Sequence, residues 1–413
     1  VGSAAKEAMA LEQAIQALRP VLYLGLSGLA FAISLHAPKQ GQRLALLPLI
    51  LIPAFLSLSA ALHVPFAPGV SLVWAQALTG YILHTISTLH LEGIPPPCPS
   101  VPGSPTPGSN TCFGFDFGYF RRIWLNPRLI RVHSNQAAQE RPKQSRGVFL
   151  VLQLSKLLTY YTIQAKIAPA LYDEVVIDIL PDDVAPYQQS LWRPLNGFTA
   201  RECLNVTFVT FSSFWTTFVY LDGMNALMGA LFVMIGLDDP EDWPPLFGHL
   251  SQAVGLRNFW SRFWHTLPMK TYRSIGESIS LRIIGCSPRS FAHKSIIALV
   301  AFGLSGAAHA LIDWQRRSPD WHLNIYWFLL NFIGCMGESL VVKMLRQLAR
   351  RAGREHDLQT LEESWLGRFL GYVWVCVFFC WTVPMWRFPE IHRQSLAFQS
   401  MRQLLSNMQI VQR

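Results

Sequence analysis

The sequence predicts an all-α fold, a polytopic transmembrane helical bundle with about eight crossings. Hydrophobic residues make up 51% of the 413 residues and charged residues only 14%, whereas soluble proteins carry about 25% charged residues. The mean hydropathy is +0.26, and several apolar runs approach the roughly 20 residues that a helix needs to cross the hydrocarbon core. We therefore expect residues 1–413 to form a single integral membrane domain whose surroundings are the lipid bilayer.

The apolar runs place the predicted crossings in order along the chain. A short amphipathic helix at 4–18 precedes spans at about 21–37, 44–63, 69–89, 147–169, 203–237, 291–312, 322–345 and 366–386. The fifth run is too long, because roughly 35 helical residues would extend about 52 Å. A break near Asp222-Gly223 would remove the excess length, since an unwound turn can line a buried cavity.

Charge predicts the orientation of the chain. Loops rich in Lys and Arg stay cytoplasmic, which places 93–146, a Pro-rich and then basic loop, in the cytosol. Cys98 and Cys112 would be free thiols there, whereas a lumenal loop would allow a bridge between them. The net charge of +9 suits basic loops that face anionic lipid or an anionic co-substrate, and it does not indicate nucleic-acid binding in a membrane chain. The endoplasmic reticulum is the expected membrane.

Two segments carry residues suited to chemistry. The first, 256–270, combines cations with aromatic rings and ends its aromatic run on a histidine; its members are Arg257, Arg262, Lys270, Phe259, Trp260, Phe263, Trp264 and His265. It is expected to be re-entrant or interfacial. In one interpretation it is only an interfacial anchor, and in the other its cations hold phosphate groups while His265 points inward.

The second segment is the small-residue stretch 302–309, FGLSGAAH, which ends on His309. Small residues let a helix or ligand approach closely, and an ionisable group at membrane depth is a functional candidate. The alternative is a structural histidine that hydrogen-bonds a neighbouring carbonyl.

These motifs carry a family resemblance. The pattern WPPLFG (243–248), LRNFWSRFWH (256–265) and FGLSGAAH (302–309) resembles the wax-synthase-like branch of the membrane-bound O-acyltransferases, whose fungal relatives acetylate terpenoid and meroterpenoid hydroxyls. The resemblance covers mainly 243–310, the candidate catalytic segment. It implies His309 as the catalytic base and His265 as a second active-site residue.

The resemblance also implies the partners. The expected reaction transfers an acyl group, acetyl in the first instance, from acyl-CoA to a hydroxyl of a lipophilic acceptor such as a terpenoid, without a metal. Imidazole suits the removal of the hydroxyl proton, because its pKa lies near the operating pH. We assign Arg257, Arg262 and Lys270 to the coenzyme A phosphates. Contacts with the acceptor are assigned to a separate set of side chains, namely Trp260, Trp264, Ser305 and Glu338.

Other functions stay open at this point. A membrane terpene cyclase would use Glu338 or Asp222 as a buried acid among aromatic rings, although both carboxylates could instead be structural partners of a cation such as Lys156. A long-chain wax ester synthase differs from the first interpretation only in its donor. A transporter or lipid-binding scaffold is disfavoured, because the sequence contains no repeat of the kind that many transporters show.

Overall fold

The computed structural model describes residues 2–62, 68–94, 116–126, 128–129, 144–169, 179–193 and 199–411. These residues form helices and turns without a strand, which confirms the all-α prediction. The helices are α1 (Gly2–His36), α2 (Gln40–Ala61), α3 (Pro68–Ile86), α4 (Phe117–Trp124), α5 (Arg146–Thr162), α6 (Ala200–Met234), α7 (Leu256–Asn258), α8 (Met269–Ser278), α9 (Phe291–Gln315), α10 (His322–Arg351), α11 (Glu355–Glu363) and α12 (Trp365–Val411).

Six helices of the described part are long and apolar enough to cross a membrane. They contain the segments Leu11–His36, Gln40–Ala61, Ala200–Met234, Phe291–Gln315, His322–Arg351 and Trp365–Asn407. Each coincides with a predicted crossing. The two other predicted crossings fall on α3 and α5, which are helical but are not among these six, so the count of eight stays a prediction.

Several other expectations stay predictions as well. These are the membrane orientation, the single membrane domain and the re-entrant course of 256–270. Cys98 and Cys112, together with most of the Pro-rich loop, lie outside the described residues.

The chain divides into two compact units, of which the first comprises Val1–Ala137 and Thr266–Ile325. Its core is apolar and includes Phe31, Leu35 and Ile50, all fully buried. Serine hydroxyls tie α1 to α2, because Ser27 Oγ donates to the Ile50 carbonyl at 2.7 Å and Ser57 Oγ donates to the Pro20 carbonyl at 2.6 Å. Such contacts join helices in hydrocarbon, where no water competes for the donors.

A buried arginine, Arg43, joins several segments of this unit by hydrogen bonds to backbone carbonyls. Arg43 is 4% exposed, and its guanidinium donates to the carbonyls of Ala37 at 3.0 Å, Ile94 at 2.8 Å and Leu35 at 3.3 Å. The last carbonyls of a helix have no partner within it. Arg43 supplies one to Leu35 in the last turn of α1.

The second unit comprises Ala138–His265 and Tyr326–Arg413. Helix α6 runs through it without interruption, so the predicted break near Asp222-Gly223 is wrong. The reason is a pair of partners on α5. Lys156 Nζ lies 2.9 Å from Asp222 Oδ2, and the Tyr160 hydroxyl donates to the same oxygen at 2.7 Å. The carboxylate is satisfied across the helix pair, and no unwound turn is needed.

An arginine also supports the long helix α12, which contains Pro384. Because proline has no N–H, the carbonyl four residues earlier, that of Cys380, loses its helical partner. Arg193, 7% exposed, donates to this carbonyl at 2.9 Å and to the Trp381 carbonyl at 3.0 Å. The guanidinium thus stabilises α12 where the backbone alone could not.

Candidate active site

The aromatic-basic segment begins at a helix start that a distant carboxylate caps. Glu338 on α10 accepts the backbone N–H of Leu256 at 2.6 Å, that of Arg257 at 3.2 Å, and the Trp374 indole N–H at 2.8 Å. The first N–H groups of a helix have no partner within it, and an acidic group there is favourable. Glu338 was predicted to contact the acceptor, and the structure shows it engaged in building the segment.

Gly255 lets this cap form. Its φ of +84° lies in the left-handed region, where residues with a Cβ are strained. A Cβ at this position would also lie 3.0 Å from Glu338 Oε1. The chain therefore needs glycine to enter α7 with the carboxylate in place.

The aromatic rings of the segment point into the second unit. Trp264 is 9% exposed, and its ring centroid lies 5.2 Å from Phe214, 5.4 Å from Phe247 and 5.5 Å from Phe259. Edge-to-face and stacked rings at such separations stabilise a core beyond their burial alone. The acceptor contact assigned to Trp264 stays a prediction, and the ring has a packing role in any case.

Trp260 is held by a residue that the sequence analysis missed. Its indole N–H donates to Asn331 Oδ1 at 3.1 Å, and the Asn331 amide donates in turn to the Trp327 carbonyl at 2.8 Å. Asn331 is fully buried in α10. A polar residue in an apolar span, seven positions before Glu338 and so on nearly the same helix face, is the signal that could have found it.

His265 follows directly on these rings. It is half-buried, and its imidazole lies 5.9 Å from the Phe247 ring and 5.7 Å from the Trp264 ring. Phe247 comes from the stretch 243–248. That stretch packs against the segment through Gly248, whose N–H donates to the Phe263 carbonyl at 2.8 Å. The stretch 243–248 therefore contacts the aromatic-basic segment directly.

The three predicted phosphate-binding cations have different surroundings. Arg257 and Arg262 are exposed on the second unit. Lys270 belongs to the first unit, where its Nζ lies 3.7 Å from Glu92 Oε2. Two of the cations are therefore available to an anionic ligand, whereas Lys270 would have to exchange a carboxylate for it.

His309 lies in the first unit, on α9, and is half-buried. Ser305 precedes it by one helical turn, so the two side chains share a face. The Ser305 hydroxyl donates to the Ala301 carbonyl at 2.9 Å and hydrogen-bonds the side chain of Tyr272 on α8. Burial raises the pKa of Tyr272 to about 12, so the phenol remains a donor at neutral pH. Ser305 thus has contacts within its own helix and with α8, and the acceptor contact assigned to it stays a prediction.

Helix α8 approaches α9 closely at a glycine. A Cβ on Gly276 would lie 2.9 Å from Ile297 Cα, which is too short for any side chain. In the same unit, His293 Nδ1 lies 3.0 Å from the Ser280 hydroxyl oxygen. These contacts pack α9, which carries the predicted base, against α8 and the turn that follows it.

A comparison with known families identifies the class of this region. Residues 243–330 match the model of the Membrane bound O-acyl transferase family. The match contains 243–248, 256–265 and 302–309, the three motifs that carry the resemblance. The resemblance of these motifs to the membrane-bound O-acyltransferases is therefore confirmed.

Individual relatives agree with this class. The chain is 28% identical over 207 residues to Acetyltransferase nanB of Aspergillus nanangensis, covering 49% of this chain and 47% of that protein. It is 27% identical over 290 residues to Acetyltransferase spyB of Aspergillus fumigatus, covering 66% of this chain and 46% of spyB. Acetyltransferase fsoF of Humicola fuscoatra is 26% identical over 275 residues, which cover 65% of this chain and 64% of fsoF. The chain thus spans about half the length of the first two, and no solved structure matches it significantly.

Proposed function

We propose that this chain is an acyl-CoA-dependent O-acyltransferase of a membrane, the endoplasmic reticulum in the first instance. It would transfer an acetyl group to a hydroxyl of a lipophilic acceptor such as a terpenoid or meroterpenoid. The observation that carries the proposal is the family match at 243–330, because that stretch contains both His265 and His309. The relatives named acetyltransferases support acetyl as the transferred group.

The proposed reaction needs one base and no covalent intermediate on the protein. His309 accepts the proton of the acceptor hydroxyl as its oxygen attacks the thioester carbonyl carbon. The tetrahedral oxyanion collapses, the C–S bond breaks, and the coenzyme A thiolate takes the proton back from the imidazolium. His265 would position the hydroxyl or stabilise the oxyanion. Ser305 does not serve as a nucleophile in this scheme.

The donor would be held by cations. Arg257 and Arg262 are exposed and suited to phosphate groups, which a guanidinium binds through two parallel N–H donors. We keep Lys270 as a third contact that first releases Glu92. Trp260, Trp264 and Glu338 are proposed to shape the acceptor side through the core that they build.

The cyclase alternative needs a protonated carboxyl group, and both candidates are poorly suited to that role. Glu338 accepts three N–H groups. Asp222 pairs with Lys156 and Tyr160. These contacts engage both carboxylates in holding parts of the structure together. This consideration leaves the acyltransferase as the better proposal.

An activity assay on membranes containing the full chain tests the proposal. Membranes are incubated with labelled acetyl-CoA or palmitoyl-CoA and with a panel of hydroxylated terpenoids and fatty alcohols. We expect an acetyl ester to form with acetyl-CoA. Its amount should exceed that formed by membranes lacking the chain. A preference for palmitoyl-CoA and a fatty alcohol would replace it with a wax ester synthase. Acceptor turnover without any coenzyme A ester would refute both and favour the cyclase.

A further inference from the structure

The segment between α8 and α9, together with the first turn of α9, carries three exposed cations, namely Arg282, Arg289 and Lys294. None of them forms an ion pair with a carboxylate in the described part of the chain. The stretch 278–312 contains neither Asp nor Glu, so its positive charge has no counter-charge of its own. Unbalanced cations that share one surface indicate an anionic partner.

The turn that carries Arg282 is joined to the start of α9. It is the π-helical turn Ile279–Ile283, and its Ser280 is fully buried. The Ser280 hydroxyl oxygen lies 3.0 Å from Nδ1 of His293, which is 8% exposed and belongs to the first turn of α9. Because Arg282 follows Ser280 by two residues, it lies close to the start of α9.

The other two cations flank the helix start itself. Ser290 caps α9, because its hydroxyl accepts the backbone N–H of His293 at 3.0 Å. Arg289 directly precedes this cap, and Lys294 follows His293. The N-terminus of an α-helix carries a partial positive charge, so three cations and a helix end place like charges on one surface. A bound anion would relieve their repulsion.

Exposed apolar side chains lie among these cations. Ile283 is 76% exposed, Ile284 is 55% exposed and Phe291 is 54% exposed. Helix α9 is long and apolar enough to cross a membrane, so its start is expected at a membrane surface. Apolar side chains beside cations fit an amphiphilic partner, whose charged group meets the cations while its hydrocarbon chains cover the apolar side chains. A small hydrophilic anion would leave those side chains uncovered.

We propose that the surface formed by Arg282, Arg289 and Lys294 binds the phosphate headgroup of an anionic phospholipid, at a site additional to the acyl-CoA contacts. A guanidinium binds phosphate oxygens through parallel N–H donors, and an ammonium adds a compact charge. The negative potential of an anionic leaflet attracts both kinds of side chain. The bound lipid stabilises the start of α9, the helix that carries His309. This site does not depend on the proposed reaction.

Thermal unfolding of the solubilised full chain measures the binding, because a ligand of the folded state raises the unfolding temperature. The probes are phosphatidylserine, phosphatidylcholine and inorganic phosphate, each added alone. Phosphatidylserine should raise the unfolding temperature of wild type more than the other two do. In the variant Arg282→Gln/Arg289→Asn/Lys294→Gln, the half-saturating concentration of phosphatidylserine should be at least about tenfold higher. Asn is chosen at position 289 because the backbone φ there is +64°, which Asn tolerates.

The matched control is Arg346→Gln/Arg350→Gln/Arg354→Gln, which removes the same charge from exposed arginines that each pair with a carboxylate. This control should keep the wild-type response to phosphatidylserine. If the first triple variant does not fold, Arg282→Gln and Lys294→Gln are each compared with Arg346→Gln in the same titration. The unfolding measurement needs no enzyme activity, so a failure of the proposed acetyl transfer would leave its result intact.

The source of the phosphate is tested separately. The KM for acetyl-CoA should be the same in the first triple variant and in wild type. A higher KM together with an unchanged response to phosphatidylserine would assign the three cations to the acyl donor and overturn the proposal.

Other results would also overturn it. Wild type could respond equally to phosphatidylserine and phosphatidylcholine, or inorganic phosphate alone could reproduce the response. The first triple variant could keep the wild-type response. The control could lose as much of the response as the first triple variant, in which case overall charge and not this surface would explain the effect.

Discussion

Substitutions of Glu338 test whether its carboxylate stabilises the start of α7 or takes part in the reaction. A hydrogen bond to a charged group contributes about 1.5–3 kcal/mol. The donors of Arg257 and Trp374 are exposed, so other acceptors can replace Glu338 there, whereas the Leu256 N–H is half-buried. Glu338→Ala is therefore expected to lower the free energy of unfolding by about 2–4 kcal/mol. Glu338→Gln keeps one oxygen with two acceptor sites, so its loss should be about 1–2 kcal/mol.

Thermal unfolding of the solubilised protein, followed by tryptophan fluorescence, measures the stability, and acetyl transfer measures the function. The matched control is Glu363→Gln, an exposed carboxylate on α11 that accepts a hydrogen bond from Gln359 at 3.0 Å. Glu338→Gln should retain a substantial part of wild-type activity. Wild-type stability of Glu338→Ala would refute the capping role. An inactive Glu338→Gln that unfolds at the wild-type temperature would show that this carboxyl takes part in the chemistry.

Three further perturbations test other parts of the account. Lys156→Met should destabilise the protein by about 2 kcal/mol or more, because the buried Asp222 side chain then lacks its cation. The double variant Lys156→Met/Asp222→Leu should regain most of the lost unfolding temperature. A Lys156→Met protein as stable as wild type would contradict the role of the pair. Arg262→Ala should raise the KM for acyl-CoA roughly tenfold and leave the KM for the acceptor unchanged. An unchanged KM for acyl-CoA would favour the interpretation of 256–270 as an interfacial anchor. The guanidinium of Arg201, 2.6 Å from each carboxylate oxygen, holds the pKa of Asp183 below its usual range. This stabilisation is complete above the unfolded pKa of about 4 and is lost as the pH falls through the lower folded pKa. Asp183→Asn should therefore unfold at a lower temperature than wild type at pH 7, and the two unfolding temperatures should converge toward about pH 3. A difference in unfolding temperature that does not change with pH would refute the reasoning.

The membrane helices could be predicted from the sequence because a run of about 20 apolar residues is a local property. The predicted break in α6 is wrong because the contact that decides it joins residues far apart in the sequence. An Asp in an apolar helix is costly only when it has no partner, and Tyr160 lies 62 residues away from Asp222 in the chain. The pairing of Asp222 with Lys156 was among the interpretations left open by the sequence, but nothing near Asp222-Gly223 indicates the second partner, Tyr160.

The candidate site likewise contains residues that the sequence identifies and residues that only the structure reveals. His265 and His309 could be named because short motifs carry them. The cap that Glu338 forms could not, since Leu256 is 82 residues away and the contact depends on how α10 packs. The anchor of Trp260, Asn331, is 71 residues away. Sequence motifs thus identified the groups suited to chemistry, and the structure was needed to find the groups that hold them.

The most direct test of the account is acetyl transfer by His309→Ala. Losing a general base typically lowers the rate about 10²–10⁴-fold, so the account predicts a loss of that size. The variant should accumulate in membranes and unfold at the wild-type temperature. His356→Ala, an exposed histidine on α11, is the control and should be fully active. Near-normal acetyl transfer by a folded His309→Ala protein would contradict the central claim.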